Sequence, residues 1–348
     1  MVVLDKKPIS PCIWPMKDGR DIMMKTENLE LVQEWDKVFP RDERVEHCKV
    51  TFANRYGITL AADLYKPKGA EGKLAAIAVS GPFGAVKEQS SGLYAQEMAA
   101  RGFLTMAFDP SFTGESGGEP RRVASPDINT EDFCAAVDYL SCRDDVDASA
   151  IGIIGICGWG GMAINAAALD PRIKATAAMT MYDMSRVARE GYFGSADSKE
   201  ARDEQRAAWA AQRTADYAAG TYERGGGVVD PLPEDAPYFV KDYHAYYKTP
   251  RGYHERSGNS TDGWNVTGTI SLINQPILSM AGEIDAPVLL VHGEKAHSRY
   301  FSEGAFELLQ GDNKELMIIP GTSHVDLYDN FDAIPFGKLE SFFGENLK

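Results

Sequence analysis

The chain has 348 residues, of which 44% are hydrophobic, and 36 Lys and Arg against 51 Asp and Glu give it a formal net charge of −15. Length and composition indicate a globular protein with a large core, and the acidic balance argues against nucleic acid or an anionic membrane surface as partner. Because the sequence shows neither a signal peptide nor an apolar run of about 18 residues, and its five cysteines lack zinc-site spacing, we expect a cytoplasmic protein without a membrane span.

Residues 1–44 are interpreted as an N-terminal extension with an amphipathic helix over 28–39. The segments 45–52 and 58–65 alternate apolar and polar residues with period two, which predicts an antiparallel hairpin. Strand-like and helix-like segments then alternate, which indicates a mostly parallel sheet with helices on both faces. We therefore expect an α/β core formed by residues 45–183 and 281–348.

The regular alternation is interrupted over residues 184–280, which are too many for an ordinary αβ loop. This stretch contains a charged helical segment at 199–217 and a region rich in Pro, Tyr and His at 231–253. We interpret it as a lid inserted between two strands. Its aromatic residues suit an apolar substrate pocket, although they could equally form the small core of the lid itself.

The segment 151–161, with sequence IGIIGICGWGG, joins a buried strand to a helix and places Cys157 at the junction. A reactive residue between a strand and a helix, flanked by small residues, is typical of a nucleophile elbow. The dipole of the following helix is expected to lower the thiol pKa. Two alternatives remain at this point: a buried structural cysteine, and a dinucleotide-binding turn in which residues 158–163 fit G-x-G-x-x-A and Asp183 is the ribose-binding acid.

The other candidate groups also follow predicted strands, where open α/β sheets place their sites. His324 follows the last strand and is the candidate base. The backbone N–H groups of Gly158 and Phe83 are the candidate oxyanion donors, because Pro82 has no N–H. Asp183 and Glu294 are alternative acids to orient His324, and an enzyme without an acid is a third option because a thiol ionises more readily than a hydroxyl.

Four motifs together resemble those of the cysteine-nucleophile α/β-hydrolases related to dienelactone hydrolase, and most of all the group that includes fungal polyketide transferases. They are GICG at 155–158, GAVKEQ at 84–89, VLLVHGEKAHSRYFSE at 288–303 and GTSHVDLY at 321–328. The resemblance covers about residues 45–345 and implies a hydrolase or acyltransferase for esters, lactones or thioesters, without a metal or organic cofactor. The chain departs from dienelactone hydrolase at Ala296, where that enzyme has an Asp, and at Trp159, where the elbow usually has a glycine.

The function expected from the sequence is acyl transfer through Cys157 and His324, with a small-molecule acyl substrate that is apolar or aromatic. Trp159, Tyr182 and Phe112 are the candidate pocket residues. A nucleotide-dependent oxidoreductase and a non-catalytic binding protein with a hydrolase fold are the alternatives. The sequence is compatible with a homodimer but does not fix the oligomeric state.

Overall fold

The structure is a computed structural model that describes residues 26–348. Eight strands form one sheet: β1 Val45–Ala53, β2 Thr59–Pro67, β3 Leu74–Ser80, β4 Leu104–Phe108, β5 Val146–Ile156, β6 Ile173–Met179, β7 Val288–Gly293 and β8 Lys314–Ile319. Their order across the sheet is β1-β2-β4-β3-β5-β6-β7-β8. The strand β2 is antiparallel to β1 and β4, and every other pair is parallel. The predicted hairpin and mostly parallel sheet are confirmed.

Nine α-helices accompany the sheet in residues 26–348: α1 Ser90–Ala99, α2 Pro126–Ser141, α3 Gly158–Leu169, α4 Met184–Glu190, α5 Lys199–Ala219, α6 Tyr238–Tyr247, α7 Arg299–Leu308, α8 Asp326–Asp329 and α9 Phe336–Asn346. The central strand β5 shows that helices cover both faces. A Cβ at Gly152 would meet the Phe343 ring of α9, and a Cβ at Gly155 would meet Ala163 of α3. None of these helices is long and apolar enough to cross a bilayer.

The predicted helix over residues 28–39 is wrong, because the structure has no helix there. Trp35, Lys37 and Phe39 are buried while the residues between them are less so, which is the period of an extended chain. The Trp35 ring packs edge-on against His47, and Lys37 forms a buried ion pair with Asp63. Because Lys37 is buried together with Trp35 and Phe39, these residues do not divide into the apolar and polar faces of a helix, which the prediction had assumed. Residues 1–25 of the predicted extension lie outside the described residues.

Residues 180–287, here called the β6–β7 segment, connect two neighbouring parallel strands. The predicted charged helix is present as α5, which begins after Ser198, whose side chain accepts a hydrogen bond from Ala201 N–H. The helix α6 buries Tyr246 and Tyr247 in the main hydrophobic core. Aromatic residues of this segment also pack on loops at the C-terminal edge of the sheet: Trp264 contacts Phe83 after β3, and Tyr243 contacts His324 after β8.

Candidate active site

Cys157 lies between β5 and α3 with φ 58° and ψ −126°. A positive φ is unusual for a residue with a side chain and costs about 1–3 kcal/mol, so it persists only where the surroundings impose it. Its carbonyl accepts hydrogen bonds from Gly160 N–H and Tyr182 N–H, and its own N–H donates to Met179 O. This sharp turn has the backbone geometry expected for a nucleophile elbow.

The glycines around Cys157 allow close packing of protein against protein. A Cβ at Gly155 would lie 2.2 Å from Trp159 O, and one at Gly160 would lie 2.5 Å from the Met181 Cβ. A Cβ at Gly161 would lie 2.5 Å from Tyr182 O. These contacts account for the glycine pattern without a dinucleotide, since the backbone that approaches the turn belongs to the chain itself.

The two candidate oxyanion donors lie close to each other and to Cys157. The N–H groups of Phe83 and Gly158 both interact with the thiol and lower its pKa. A Cβ at Gly158 would lie 2.7 Å from the Phe83 Cβ, so glycine is required for this approach. The Phe83 carbonyl in turn accepts a hydrogen bond from the Asn259 amide at 2.7 Å, which fixes the loop from the β6–β7 segment.

The pKa of the Cys157 thiol is raised above its ordinary value, because burial outweighs the hydrogen bonds that favour the thiolate. The expected lowering by the dipole of α3 is therefore wrong. Cys157 is 6% exposed, and polar groups surround it: the two N–H groups and the Tyr328 hydroxyl interact with the sulfur. The resting site accordingly holds a neutral thiol.

His324 lies in the loop after β8 and is 2% exposed. Its Nε2 is 3.0 Å from the Tyr328 hydroxyl, which also interacts with the Cys157 thiol. The Tyr328 hydroxyl therefore connects the candidate nucleophile with the candidate base. Burial lowers the pKa of His324 well below its ordinary value, with further lowering by His292 and His297, so the imidazole is neutral at rest.

The structure does not bring Asp183 or Glu294 to His324. Asp183 caps α4, where its carboxylate accepts hydrogen bonds from Arg186 N–H at 2.9 Å and from the Ser185 hydroxyl. Glu294 is exposed and accepts a hydrogen bond from Gly321 N–H at 2.8 Å. Within residues 26–348, no carboxylate hydrogen-bonds to His324.

Two hydroxyl groups occupy the place of an acid. His324 Nδ1 is 2.6 Å from Ser298 Oγ and 2.8 Å from Thr180 Oγ1. The Ser298 hydroxyl is also 2.9 Å from His292 Nε2. His292 Nδ1 is 2.6 Å from Ser302 Oγ, and all of these residues are buried.

The three candidate pocket residues have different surroundings. Trp159 is buried with its ring centroid 5.3 Å from that of Phe83. Tyr182 lies 5.1 Å from His324, ring to ring, and its hydroxyl hydrogen-bonds to His297. The Phe112 ring lies against Gly118 instead. Tyr182 and Trp159 thus border the site, whereas a pocket role for Phe112 has no contact in its support.

The helix α6 covers the site from the β6–β7 segment. The Tyr243 hydroxyl is 3.1 Å from that of Tyr182, and its ring lies 5.5 Å from His324. Phe239 stacks on His297 at 4.2 Å. His297 also lines an open surface groove of about 580 Å³, whose walls are mainly aromatic and apolar and include Tyr238, Phe239 and Tyr300.

Among residues 26–348, one group of acidic side chains has a spacing that could hold a metal ion: Glu88, Asp109 and Glu115. The Lys87 ammonium lies between them, at 2.7, 2.9 and 2.5 Å from their respective carboxylates. A lysine that contacts all three oxygens supplies the positive charge a metal would bring. We therefore interpret the group as an ion-pair cluster.

Sequence reasoning missed Tyr328, Ser298 and His292. Tyr328 lies one helical turn after His324 in the motif 321–328, so a search at i+4 from the base would have found it. Ser298 lies two residues after Ala296 in the motif 288–303. His292 carried no signal of its own, because a histidine at the end of a buried strand is compatible with an ordinary core position.

The model of the X-Pro dipeptidyl-peptidase (S15) family matches residues 56–326. An uncharacterised protein of Pseudomonas aeruginosa is 57% identical over 323 residues, covering 92% of this chain and 86% of that protein. Its crystal structure superposes with a TM-score of 0.90. An uncharacterised Escherichia coli protein, YcjY, is 35% identical over 86% of this chain and 99% of its own length.

Two further matches are to fungal enzymes, one over part of the sequence and one in fold. A thiohydrolase from Aspergillus aculeatus is 32% identical over 133 residues, covering 38% of this chain and 41% of that enzyme. The α/β hydrolase GrgF from Penicillium superposes with a TM-score of 0.70 at 20% identity, covering 86% of this chain and 99% of that one, which supports the fold alone. The predicted α/β-hydrolase fold is confirmed, and the match over residues 56–326 shows that the chain belongs to the X-Pro dipeptidyl-peptidase (S15) family.

Proposed function

We propose that this protein is a hydrolase or acyltransferase that attacks an ester or thioester with the Cys157 thiol and forms a covalent acyl-enzyme. The observation that carries the proposal is the strained strand-to-helix turn at Cys157, with φ 58°, where Gly158 packs directly against Phe83. Their N–H groups and the Tyr328 hydroxyl, which contacts His324, all influence the thiol. Donors fixed at the position where an oxyanion develops are commonly the largest contribution to acyl-transfer catalysis.

In the first step, the substrate carbonyl oxygen occupies the space between the Phe83 and Gly158 N–H groups. The Cys157 sulfur attacks the carbonyl carbon, and its proton passes to the Tyr328 oxygen as the Tyr328 proton passes to His324 Nε2. The tetrahedral intermediate then collapses, the leaving group receives a proton back along this route, and the acyl group remains on sulfur as a thioester. His324 is thus the base and then the acid.

In the second step, water or another nucleophile gives its proton to His324 and attacks the thioester carbonyl. Collapse of this second intermediate returns the proton to Cys157 and releases the acid or the transferred product. Thioesters are readily attacked by amines and thiols as well as by water, so transfer to an acceptor other than water is consistent with the site. The name of the Aspergillus aculeatus thiohydrolase supports this class of chemistry.

The surroundings of the sulfur favour an apolar or aromatic acyl group. Phe83, Tyr182 and Tyr243 border the site, and the surface groove lined by His297 is mainly apolar. Apolar walls with a few convergent polar groups are typical of small-molecule sites. Because Cys157 is buried beneath α6, we expect residues 184–280 to move as a lid when substrate enters.

The experiment is intact-mass spectrometry after mixing the protein with a p-nitrophenyl ester and, separately, with an N-acetylcysteamine thioester of the same aromatic acid. We expect a mass increase equal to one acyl group, mapped to the peptide that contains Cys157, and its absence in Cys157→Ala. The matched control is Cys142→Ser, because Cys142 is an exposed free cysteine outside the site and its loss should leave the adduct unchanged.

Two outcomes would contradict the proposal. An adduct retained in Cys157→Ala would place the chemistry on another residue. Failure of the wild type to form an adduct or release the acid, with an intact fold by circular dichroism, would favour the alternative of a non-catalytic binding protein.

A further inference from the structure

The side chains behind His324 form a continuous hydrogen-bonded chain that contains no carboxylate. It runs from His324 Nδ1 to Ser298 Oγ at 2.6 Å, from Ser298 Oγ to His292 Nε2 at 2.9 Å, and from His292 Nδ1 to Ser302 Oγ at 2.6 Å. His292 ends β7, and Ser302 lies on α7. The chain thus ties the loop after β8 to two rigid elements.

The donor and acceptor in each hydrogen bond follow from the proposed role of His324 as the base. To accept a proton at Nε2, it must carry its own proton on Nδ1, which then donates to Ser298 Oγ. The Ser298 hydroxyl donates onward to His292 Nε2, so His292 carries its proton on Nδ1 and donates to Ser302 Oγ. Each imidazole then donates one N–H, the Ser298 hydroxyl accepts one hydrogen bond and donates one, and all four side chains are neutral.

Thr180 provides a second observation that the arrangement is built for His324. Its hydroxyl lies 2.8 Å from His324 Nδ1, and its backbone has φ 43°. A positive φ is a real outlier for a β-branched residue, and such strain is concentrated at functional sites. The Thr180 N–H donates to Val291 O, directly before His292.

Resting on the acyl-transfer function proposed above, we propose that Ser298 and His292 replace the acid of the catalytic group. They are positioning residues: Ser298 fixes the ring orientation and tautomer of His324, and His292 fixes the direction of the Ser298 hydroxyl. In a triad with a carboxylate, the third member also stabilises the imidazolium, whereas these neutral groups orient the ring without favouring its charged form. The protein therefore transfers the thiol proton only during the reaction and does not store a thiolate–imidazolium pair.

The groups facing His324 come from several elements. The titratable ones are His292 on β7, His297 in the loop after β7, Tyr182 after β6, Tyr243 on α6 and Tyr328 on α8. Because burial raises the pKa of the three tyrosines and lowers that of the two histidines, all five are neutral near pH ~7. A carboxylate introduced at Ser298 would be the one charged group in contact with His324.

The first test compares Ser298→Ala with Ser298→Thr, which keeps the hydroxyl. For Ser298→Ala we expect kcat to fall by about tenfold to a hundredfold while KM changes little. The loss is smaller than the full contribution of a general base, about 10²–10⁴-fold, because Thr180 Oγ1 remains 2.8 Å from His324 Nδ1. Ser298→Thr should recover most of kcat. His292→Leu should resemble Ser298→Ala, and His292→Gln, whose amide oxygen can accept from Ser298, should recover part of the loss.

The second test is Ser298→Asp, with a readout that a purely structural role would not move. A carboxylate at His324 Nδ1 raises the pKa of the imidazole, so the acid limb of kcat/KM against pH should move to higher pH. The rate of Cys157 alkylation by iodoacetamide at about pH 6 should also increase, because a thiolate–imidazolium pair becomes accessible.

The wild-type acyl adduct separates failure of this proposal from failure of the proposed function. If wild type forms no adduct on Cys157, the proposed function fails. If wild type forms it and Ser298→Ala reacts at the wild-type rate, the Ser298–His292 proposal is overturned while the acyl-enzyme stands. The same conclusion follows if Ser298→Asp changes neither the acid limb of kcat/KM nor the alkylation rate of Cys157.

Discussion

Two of the buried polar regions in residues 26–348 differ in charge: one contains ionised side chains and the other contains neutral ones. The ion-pair cluster, built on Lys87, Glu88, Asp109 and Glu115, contains full charges of both signs. The site around Cys157 and His324 contains thiol, imidazole and hydroxyl groups whose pKa shifts keep them neutral. Buried charges are stable only when paired, whereas neutral groups need only a hydrogen-bond partner.

The cluster and the site are connected through one loop. Phe83 provides a candidate oxyanion donor, and four residues later Lys87 N–H donates to Asp109 at 2.8 Å. Arg256 of the β6–β7 segment pairs with Glu88 at 2.9 Å and with Asp36 at 2.5 Å. The charged region therefore fixes the position of the loop that contains Phe83.

Breaking the charged region should produce the largest effect on stability. Lys87→Met leaves the buried Asp109 carboxylate without its ammonium partner, whereas Glu88 and Glu115 keep Lys49. Removal of one partner from a buried ion pair costs about 3–5 kcal/mol. We expect a loss of this size in the free energy of unfolding, measured by urea denaturation.

The matched control for Lys87→Met is Lys199→Ala. Lys199 pairs with Asp203 on the exposed face of α5, where ion pairs contribute little because water screens them. The denaturation midpoint of Lys199→Ala should be indistinguishable from that of the wild type. Equal midpoints for Lys87→Met and Lys199→Ala would show that the cluster does not stabilise the fold.

The fold, the turn at Cys157 and the position of His324 could be predicted from the sequence. Strand boundaries and the strand-to-helix turn at Cys157 follow from local patterns of apolar and small residues. His324 follows from strand order, because the ends of parallel strands meet at one edge of the sheet. Each of these depends on short-range periodicity and on one rule of topology.

The third member of the site could not be predicted in this way. Asp183 was a reasonable candidate by position, but a carboxylate before a helix has competing N–H partners, and it caps α4. A search for an acid also overlooks hydroxyl groups, which are common in loops and carry no sequence signal of their own. The helix prediction over residues 28–39 failed because it treated Lys37 as an exposed residue. The buried ion pair of Lys37 with Asp63 is a contact between residues distant in sequence, which a local pattern does not show.

The neutral region should show itself in the pH dependence of stability. Burial lowers the pKa of His292 to about 3 and that of His297 to about 4, whereas an unfolded histidine titrates near about 6.5. At a pH between the folded and unfolded pKa values, the unfolded chain binds more protons than the folded protein does. The free energy of unfolding contributed by these groups is therefore fully present above about pH 6.5 and is lost as the pH falls towards about 4.

His292→Gln tests this contribution by difference. The decline from about pH 6.5 to about pH 4.5 should be shallower than in the wild type by up to about 1.4 kcal/mol per pH unit, the value of one proton. Comparison of variants is necessary because Asp132, whose pKa burial raises to about 6, acts in the opposite direction over this range. Parallel declines in the two proteins would mean that His292 is not buried as a neutral group.

The smallest effect is expected at the outer end of the neutral chain. Ser302→Ala removes the acceptor of the His292 Nδ1–H, and a buried donor without a partner costs about 1–3 kcal/mol. The Ser298–His292 contact remains, however, so the orientation of His324 should persist and kcat should fall by less than in Ser298→Ala. Denaturation and steady-state kinetics on the same preparation measure both quantities. In the charged region Lys87 is the ammonium shared by three carboxylates, whereas in the neutral region Ser302 contacts only the outer end of the chain. A loss of kcat as large as that of Ser298→Ala would show instead that the four residues act as one unit and that the chain has no dispensable end.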